Sequence, residues 1–377
     1  MQPTAIMRTS TECNLVVSND SALRVSRMSR RNDNRVQKIW YGGSRLRWLL
    51  LPFSWIYAAI ITFRRFLYST GLFRSQSVAA PVVIVGNIAV GGTGKTPLTI
   101  WLALQLAERG YKPGIISRGY GGIVGSKPMQ VSADSDPAVV GDEAVLMANR
   151  SACPVVVHPD RVAAAKVAVD LGANVIVSDD GLQHYRLARD FEIAVVDGTR
   201  RHGNRQLLPA GPLREPISRL RTSDQILVQR ESGDGADRSC HWSDRPPVEF
   251  RLIASAICRP DNSDIRNIED FSGTTMHALA GIGNPDRFFR LLEAREIDVI
   301  RHPLTDHAEI TQDDLDFDDD LDVVMTEKDA VKCRSLDTRK CWYVPVDVAI
   351  DDAEAEELLD RILQKISPEE KAKDSQA

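Results

Sequence analysis

The stretch that most constrains this chain is residues 81–103, PVVIVGNIAVGGTGKTPLTIWLA, where an apolar strand, a glycine-rich turn and an apolar helix follow one another. Residues 81–85 are a short β-branched run, which is typical of a buried parallel strand. Pro97 fits the first turn of a helix, because the amide hydrogen that proline lacks has no helical partner there. The stretch therefore predicts a strand–turn–helix unit with its glycines in the turn.

Such a turn lets consecutive amide groups and the helix N-terminus converge on phosphate oxygens. In this P-loop pattern the lysine reaches the β and γ phosphates of ATP and the following threonine can ligate Mg²⁺. The predicted nucleotide-binding residues are Ala89, Val90, Gly91, Gly92, Thr93, Gly94, Lys95 and Thr96. The pattern expects glycine at position 89, where this chain has alanine. The alternative is a glycine-rich turn that binds nothing.

The charge of the chain is unevenly distributed. The formal net charge is −5, yet residues 1–80 hold twelve basic and only three acidic residues. A basic leader on an acidic body predicts an anionic partner, either a membrane surface or nucleic acid. We expect no nucleic acid, because the leader lacks interleaved aromatic residues and no nucleic-acid-reading fold is indicated. The six cysteines have no metal-site spacing, which indicates free thiols in a reducing compartment.

An apolar segment follows the leader. Residues 48–63, WLLLPFSWIYAAIITF, carry no charge and have arginines on both sides. As a helix they would be about 24 Å long, which is less than the roughly 30 Å hydrocarbon core of a bilayer. We therefore expect a helix embedded in one leaflet rather than a spanning helix. The alternative is a helix packed in the core of a soluble protein.

Strand and helix patterns alternate through the rest of the chain, which predicts an α/β fold with a mostly parallel sheet flanked by helices and ligands beyond the carboxyl ends of its strands. A second, smaller α/β unit follows. The predicted divisions are a disordered basic leader (1–38), a membrane-associated helix region (39–75), a P-loop core (76–272), a smaller α/β domain (273–350) and a C-terminal helix and tail (351–377).

Phosphoryl transfer needs more than a P-loop. It needs a base near the acceptor oxygen, a carboxylate for the metal and cations over the developing charge. Asp179 and Asp180 follow a β-branched run, where a metal-binding acid belongs, although such a pair can also cap a turn. Composition alone makes Asp142 the N-cap of a helix and His307 a surface residue. The basic, proline-rich residues 200–216 indicate a functional loop, or else a surface crossover.

Eight segments in this order resemble the tetraacyldisaccharide 4′-kinase family of lipid A biosynthesis. They are AVGGTGKTP, SRGYGG, VGDEA, SDDGLQHYRL, RRHGNRQLLPAGPLREP, GIGNP, the Asp306–His307 pair and MTEKDAVKC. The resemblance implies a kinase that moves the γ-phosphate of ATP to the 4′-hydroxyl of a lipid-linked glucosamine disaccharide, giving lipid IVA. It also implies a peripheral location on the cytoplasmic side of the inner membrane.

The resemblance further implies roles for individual residues. It makes Asp142 the base, reversing the N-cap interpretation, and pairs it with His307 from the smaller domain. It places Lys95 and Thr96 on ATP and Mg²⁺, and Asp179 and Asp180 near the metal. The remaining residues around the reaction centre would be His184, Arg214 and Glu215. The sequence departs from the family pattern at Ala89, Leu182 and Ala308.

A different class of function is a GTP- or ATP-driven switch that acts on a membrane partner. Residues 326–329, TEKD, resemble a guanine-reading motif with the lysine displaced by one position. A strong preference for GTP would favour this alternative.

Overall fold

The structure is a computed structural model and describes residues 36–231, 242 and 245–367. Residues 1–35 of the predicted disordered leader (1–38) and the predicted tail from residue 368 lie outside these residues, whereas residues 36–38 are helical rather than disordered. The described chain is an α/β fold of two sheets with helices, as the sequence predicts.

The first sheet has nine strands among the described residues. They are β1 (Val82–Gly86), β2 (Pro113–Ser117), β3 (Met129–Val131), β4 (Val155–Val157), β5 (Val175–Asp179), β6 (Phe191–Asp197), β7 (Gln225–Arg230), β8 (Val248–Ile253) and β15 (Asp347–Ile350). Their order is β15-β8-β7-β6-β1-β5-β2-β4-β3, and only the two edge strands, β3 and β15, pair in antiparallel fashion. β1 therefore lies at the middle of the sheet, between β5 and β6.

Helices cover both faces of this sheet. The helices are α1 (Arg47–Ser69), α2 (Lys95–Glu108), α3 (Pro137–Val140), α4 (Asp142–Ser151), α5 (Arg161–Asp170), α6 (Pro285–Glu293), α7 (Glu327–Ala330) and α8 (Asp352–Ile366). The apolar residues of α2, α4 and α8 pack on one face of the first sheet, and those of α5 pack on the other. All five residues of β1 are buried, because a central parallel strand is covered on both sides.

The second sheet has six described strands: β9 (Ala256–Cys258), β10 (Ile265–Asn267), β11 (Thr275–Ala280), β12 (Asp298–Pro303), β13 (Val323–Thr326) and β14 (Cys341–Val344). Their order is β10-β9-β14-β13-β11-β12, with β11 to β14 parallel. The change of sheet does not coincide with the predicted boundaries at residues 273 and 350. β9 and β10 already belong to the second sheet, and β15 returns to the first.

Helix α1 is longer than the apolar run that predicted it. It is long and apolar enough to cross a membrane by length and composition, and only 6% of its most apolar window is buried. The alternative of a buried packing helix is therefore wrong. One side contacts the body of the protein, where the Ser54 hydroxyl donates to Leu207 O at 2.9 Å and Tyr57 donates to Arg214 O at 3.0 Å. The opposite side exposes large apolar side chains: Trp48, Leu49, Phe53, Trp55, Ile56, Ile60, Phe63 and Phe66.

Strands of both sheets end at one cleft of about 1740 Å³. The glycine turn follows β1, Asp179 ends β5 with Asp180 directly after it, and α7 follows β13 at the rim of the cleft. The fold thus brings the segments that carry the predicted chemistry to one place.

Candidate active site

The glycine turn has the backbone that a phosphate site needs. Gly91 and Gly94 have φ values of +124° and +78°, which residues with a Cβ rarely adopt, and Gly94 precedes the first turn of α2. The N-terminal amides of α2 therefore open into the cleft beside Lys95 and Thr96. Ala89, which departs from the P-loop pattern, pairs with Leu213 in an isolated β-bridge, and Val90 N donates to Pro212 O at 2.8 Å. Position 89 thus has an extended, paired backbone that accommodates a methyl group.

Asp180 pairs with two cations, Lys95 of the glycine turn and Arg214. Arg214 Nη1 donates to both of its carboxylate oxygens, at 3.0 and 2.7 Å, and Lys95 Nζ lies 3.7 Å away. Burial opposes the charge of Asp180, but Lys95 and Arg214 hold its pKa well below the usual value. Asp180 therefore stays ionised and keeps both cations at the mouth of the glycine turn.

The pKa of Asp179 is shifted in the opposite direction to that of Asp180. Asp179 is 2% exposed, and its carboxylate accepts one hydrogen bond from the Thr99 hydroxyl at 3.3 Å. Burial and the nearby carboxylates of Glu143 and Asp180 raise the pKa of Asp179 to about 7. Its negative charge is thus poorly compensated by the protein alone.

Asp142 and His307 meet across the two sheets. His307 Nδ1 lies 3.0 Å from each carboxylate oxygen of Asp142, and Asp142 is 4% exposed. The composition-based N-cap interpretation of Asp142 is wrong, because Gly141 precedes α4 as its N-cap and Asp142 is the first helical residue. The surface interpretation of His307 is wrong too, since its side chain is 15% exposed. His307 has a φ of +59°, an unusual value for a residue with a side chain.

This contact changes the acidity of both partners. Burial opposes the charge of Asp142, but the hydrogen bond from His307 and the charge of Lys328 lower the pKa of Asp142 below its usual value. Burial and Lys328 disfavour the imidazolium, yet Asp142 raises the pKa of His307 above its usual value. At neutral pH Asp142 is therefore an ionised acceptor held by an oriented ring.

Two lysines beside this pair had no predicted role. Lys328 Nζ lies 3.0 Å from Glu143 Oε1, 3.0 Å from Asp306 Oδ1 and 3.2 Å from His307 Nε2. Lys332 Nζ lies 2.8 Å from Asp329 Oδ1 and 3.8 Å from Asp142 Oδ2. Both belong to MTEKDAVKC, so the sequence signal was present although no role followed from it.

The other predicted residues are arranged around the cleft. His184 lines it, and burial together with Arg161 lowers the pKa of His184 to about 4, so that its ring is neutral at pH 7. Glu215 is 2% exposed and accepts a hydrogen bond from the Tyr185 hydroxyl, while Arg219 Nε lies 3.3 Å from its carboxylate. The Glu215 carboxylate is thus engaged with its neighbours. Sequence reasoning missed Arg161, which is buried and donates to Asp179 O at 2.9 Å.

The glycine turn and the second sheet touch directly. A Cβ added to Gly283 would lie 2.7 Å from Gly92 N, and Arg287 Nη1 donates to Gly92 O at 3.2 Å. Arg287 also forms an ion pair with Asp197 at the end of β6. These contacts place the loop after β11 on the glycine turn.

The sequence profile of the Tetraacyldisaccharide-1-P 4'-kinase family matches residues 46–364. This chain belongs to that family. The Tetraacyldisaccharide 4'-kinase of Nitrosococcus oceani is 48% identical over 316 residues, which cover 84% of this chain and 90% of the relative. The protein of the same name from Hahella chejuensis is 41% identical, over 84% of this chain and 93% of the relative.

A solved structure agrees with this membership. The crystal structure of LpxK from Aquifex aeolicus in complex with ATP matches this family member with a TM-score of 0.69 and 27% identity. The match covers 85% of this chain and all of that one. The P-loop kinase fold and use of ATP are therefore shown, and the nucleotide-driven switch is not favoured. Within this family member, TEKD places Lys328 on His307 and the acids around it.

Proposed function

We propose that this chain transfers the γ-phosphate of ATP to the 4′-hydroxyl of an acylated glucosamine disaccharide 1-phosphate, giving lipid IVA. The observation that carries the proposal is the Asp142–His307 contact at 3.0 Å in a member of this kinase family. It joins a carboxylate of the P-loop sheet to an imidazole that lines the cleft into which the glycine turn opens. Transfer of phosphate to a hydroxyl group needs such a base to accept the hydroxyl proton, whereas a nucleotide-driven switch has no hydroxyl of a lipid acceptor to deprotonate.

In this mechanism each group has a separate task. The amides of Gly91 to Thr96 and the Lys95 ammonium bind the phosphates of ATP. Asp142 accepts the proton of the acceptor hydroxyl, which leaves late in a loose transition state. His307 holds the Asp142 carboxylate oriented through its Nδ1–H. Arg214, held by Asp180, adds positive charge at the same edge.

The donor set of the cleft fits a Mg²⁺ ion bound together with ATP. Thr96 and Asp179 would hold it with phosphate oxygens and water, with Asp180 behind them. Mg²⁺ needs few protein ligands, which agrees with the finding that no cluster of three or more candidate ligand side chains occurs among the described residues. The raised pKa of Asp179 fits as well, because a cation would compensate its charge. When bound, Mg²⁺ would neutralise charge on the β and γ phosphates.

We also propose that α1 attaches the enzyme to the cytoplasmic surface of the inner membrane without crossing it. Its inner side contacts the body at several levels, from Ser54 through Tyr57 to Tyr68, whose ring packs on Tyr185. A helix docked along its length on a polar body lies in the interface plane, with its exposed apolar side in the lipid. Tyr57 of α1 donates to Arg214 O, and Arg214 belongs to a loop that lines the cleft. The membrane-facing helix therefore contacts a loop of the site directly. This arrangement would bring a lipid acceptor to the site.

The direct test uses the purified chain, ATP with Mg²⁺ and the disaccharide 1-phosphate in detergent. We expect one phosphate added to the lipid for each ADP formed, as measured by mass spectrometry and a coupled ADP assay. GTP in excess should compete weakly. ADP formation without phosphorylated lipid, or strong preference for GTP, would contradict the proposal.

Membrane attachment has a separate test. Replacing Trp55, Ile56 and Ile60 by Gln or Asn removes side chains that are 60–67% exposed. We expect this variant to pellet poorly with vesicles of bacterial lipids while phosphorylating detergent-dispersed acceptor. The matched control replaces Leu171, Ile265 and Ile300, which are exposed apolar residues elsewhere, and should pellet normally. Equal pelleting of the α1 variant and wild type would contradict attachment through α1.

A further inference from the structure

The ammonium group of Lys328 has as many close partners as it has hydrogens. Its side chain is 11% exposed, and its Nζ approaches carboxylate oxygens of Glu143 and Asp306 and Nε2 of His307 at 3.0–3.2 Å. Glu143 lies on α4 over the first sheet, whereas Asp306 and His307 follow β12 of the second. Lys328 itself lies in the first turn of α7, after β13. One largely enclosed cation thus connects both sides of the cleft next to the proposed base.

The contact with His307 restricts which protons the ring can carry. An ammonium group only donates hydrogen bonds, so Nε2 of His307 must be the acceptor in this contact. The carboxylate of Asp142 only accepts, so Nδ1 must carry the hydrogen that it receives. The arrangement as a whole is satisfied by a neutral imidazole with its proton on Nδ1. An imidazolium would place an N–H against the lysine hydrogens.

We propose that Lys328 is a positioning residue that disfavours a proton on Nε2 of His307 and fixes the ring against Asp142. The proposal deepens the proposed function and rests on it, because it assigns a role beside the same base. Lys328 acts through His307, because the three close partners of its Nζ are all protein groups. Replacement of Lys328 should therefore change the protonation of His307 and the turnover of the enzyme, and leave ATP binding unaffected.

The charge balance around His307 involves four segments. The acids around it are Asp142 and Glu143 on α4 and Asp306, which precedes it. The cations are Lys328 on α7 and Lys332 shortly after that helix. The Tyr120 ring, on the glycine-rich loop after β2, lies 4.8 Å away. Although burial opposes its charge, Glu143, Asp142 and Asp306 raise the pKa of Lys328, so the ammonium stays charged. Lys328 disfavours the imidazolium and Asp142 favours it. Removing the lysine charge must therefore raise the pKa of His307.

The test measures this shift in full-length protein labelled with ¹⁵N-histidine. His307 is assigned among the seven histidines by His307→Asn, and its ring nitrogens are followed against pH by ¹H–¹⁵N correlation spectra. In wild type we expect the neutral Nδ1–H signature above the titration midpoint. In Lys328→Met the midpoint should rise by on the order of one pH unit, because a like charge next to Nε2 has been removed. Lys328→Arg, which keeps a charged donor, should leave the midpoint close to that of wild type.

Kinetics provide the second readout. We expect kcat to rise with pH as His307 loses the proton on Nε2. This rise should move to higher pH in Lys328→Met, while the KM for ATP stays within about twofold. Lys340→Met, which removes an exposed lysine paired with Asp320, is the matched control and should change neither property. If Lys328→Met does not fold, Lys328→Gln removes the same charge, retains a donor and should give the same direction of shift.

An unchanged or lowered His307 midpoint in the charge-removing variants would overturn the proposal, as would the opposite Nε2–H tautomer in wild type. The spectra need no substrate. A wild type that fails to phosphorylate the lipid would therefore refute the proposed function, whereas an unmoved midpoint would refute only the role of Lys328.

Discussion

The two sides of the cleft are built in different ways. The phosphate side, Gly91 to Thr96 with Asp180 and Arg214, relies on the backbone of one short turn and on charges held at the ends of neighbouring segments. The proton-transfer side, Asp142, His307 and Lys328, consists of side chains from segments that are far apart in sequence and belong to different sheets. Binding of phosphate therefore depends mainly on one local turn, whereas proton transfer depends on how the two sheets meet.

The largest expected effect lies on the phosphate side. Lys95→Ala removes the cation nearest to the phosphates, and we expect kcat/KM to fall by about 10³-fold with a raised KM for ATP. Lys166→Ala, which removes an exposed lysine on α5, is the control and should leave both unchanged. A normal KM for ATP in Lys95→Ala would show that Lys95 does not contribute to ATP binding and would contradict the division of the cleft into two sides.

The next effect lies on the proton-transfer side. Asp142→Ala should lower kcat by about 10²-fold, the usual scale for losing a positioned base, with little change in the KM for ATP. Steady-state assays with saturating lipid acceptor measure this split, and Asp170→Ala, an exposed acid on α5, serves as the comparison. Unchanged turnover would show that another group accepts the proton.

A smaller effect should come from the contact between the sides. Gly283→Ala adds a Cβ that would lie 2.7 Å from Gly92 N, so the loop after β11 must move off the glycine turn. We expect about a tenfold loss of kcat, because the misplaced second sheet carries His307. In Gly125→Ala the added Cβ meets no described atom within 4 Å, and activity should be normal. Full activity in Gly283→Ala would mean that the two sides tolerate relative movement.

The same contrast explains what could be predicted from the sequence. The strands around β1 were predictable because buried parallel strands are continuous β-branched runs, and residues 113–117 form the predicted strand. The glycine turn was predictable because its chemistry is local. Composition could not pair Asp142 with His307, which are 165 positions apart, and only the family resemblance suggested it. β9, β10 and β15 join their sheets through antiparallel pairing that depends on tertiary structure, so the sequence did not predict where the chain changes sheet.

The most direct test of the central claim, that side chains from the two sheets act as one proton-transfer unit, is a double-mutant cycle of Asp142→Ala and His307→Ala. Turnover of the wild type, both single variants and the double variant is measured with saturating ATP and lipid acceptor. Residues that act as a unit are non-additive, so the double variant should lose about as much kcat as Asp142→Ala alone. A loss equal to the product of the two single losses would show that Asp142 and His307 act independently and would contradict the account.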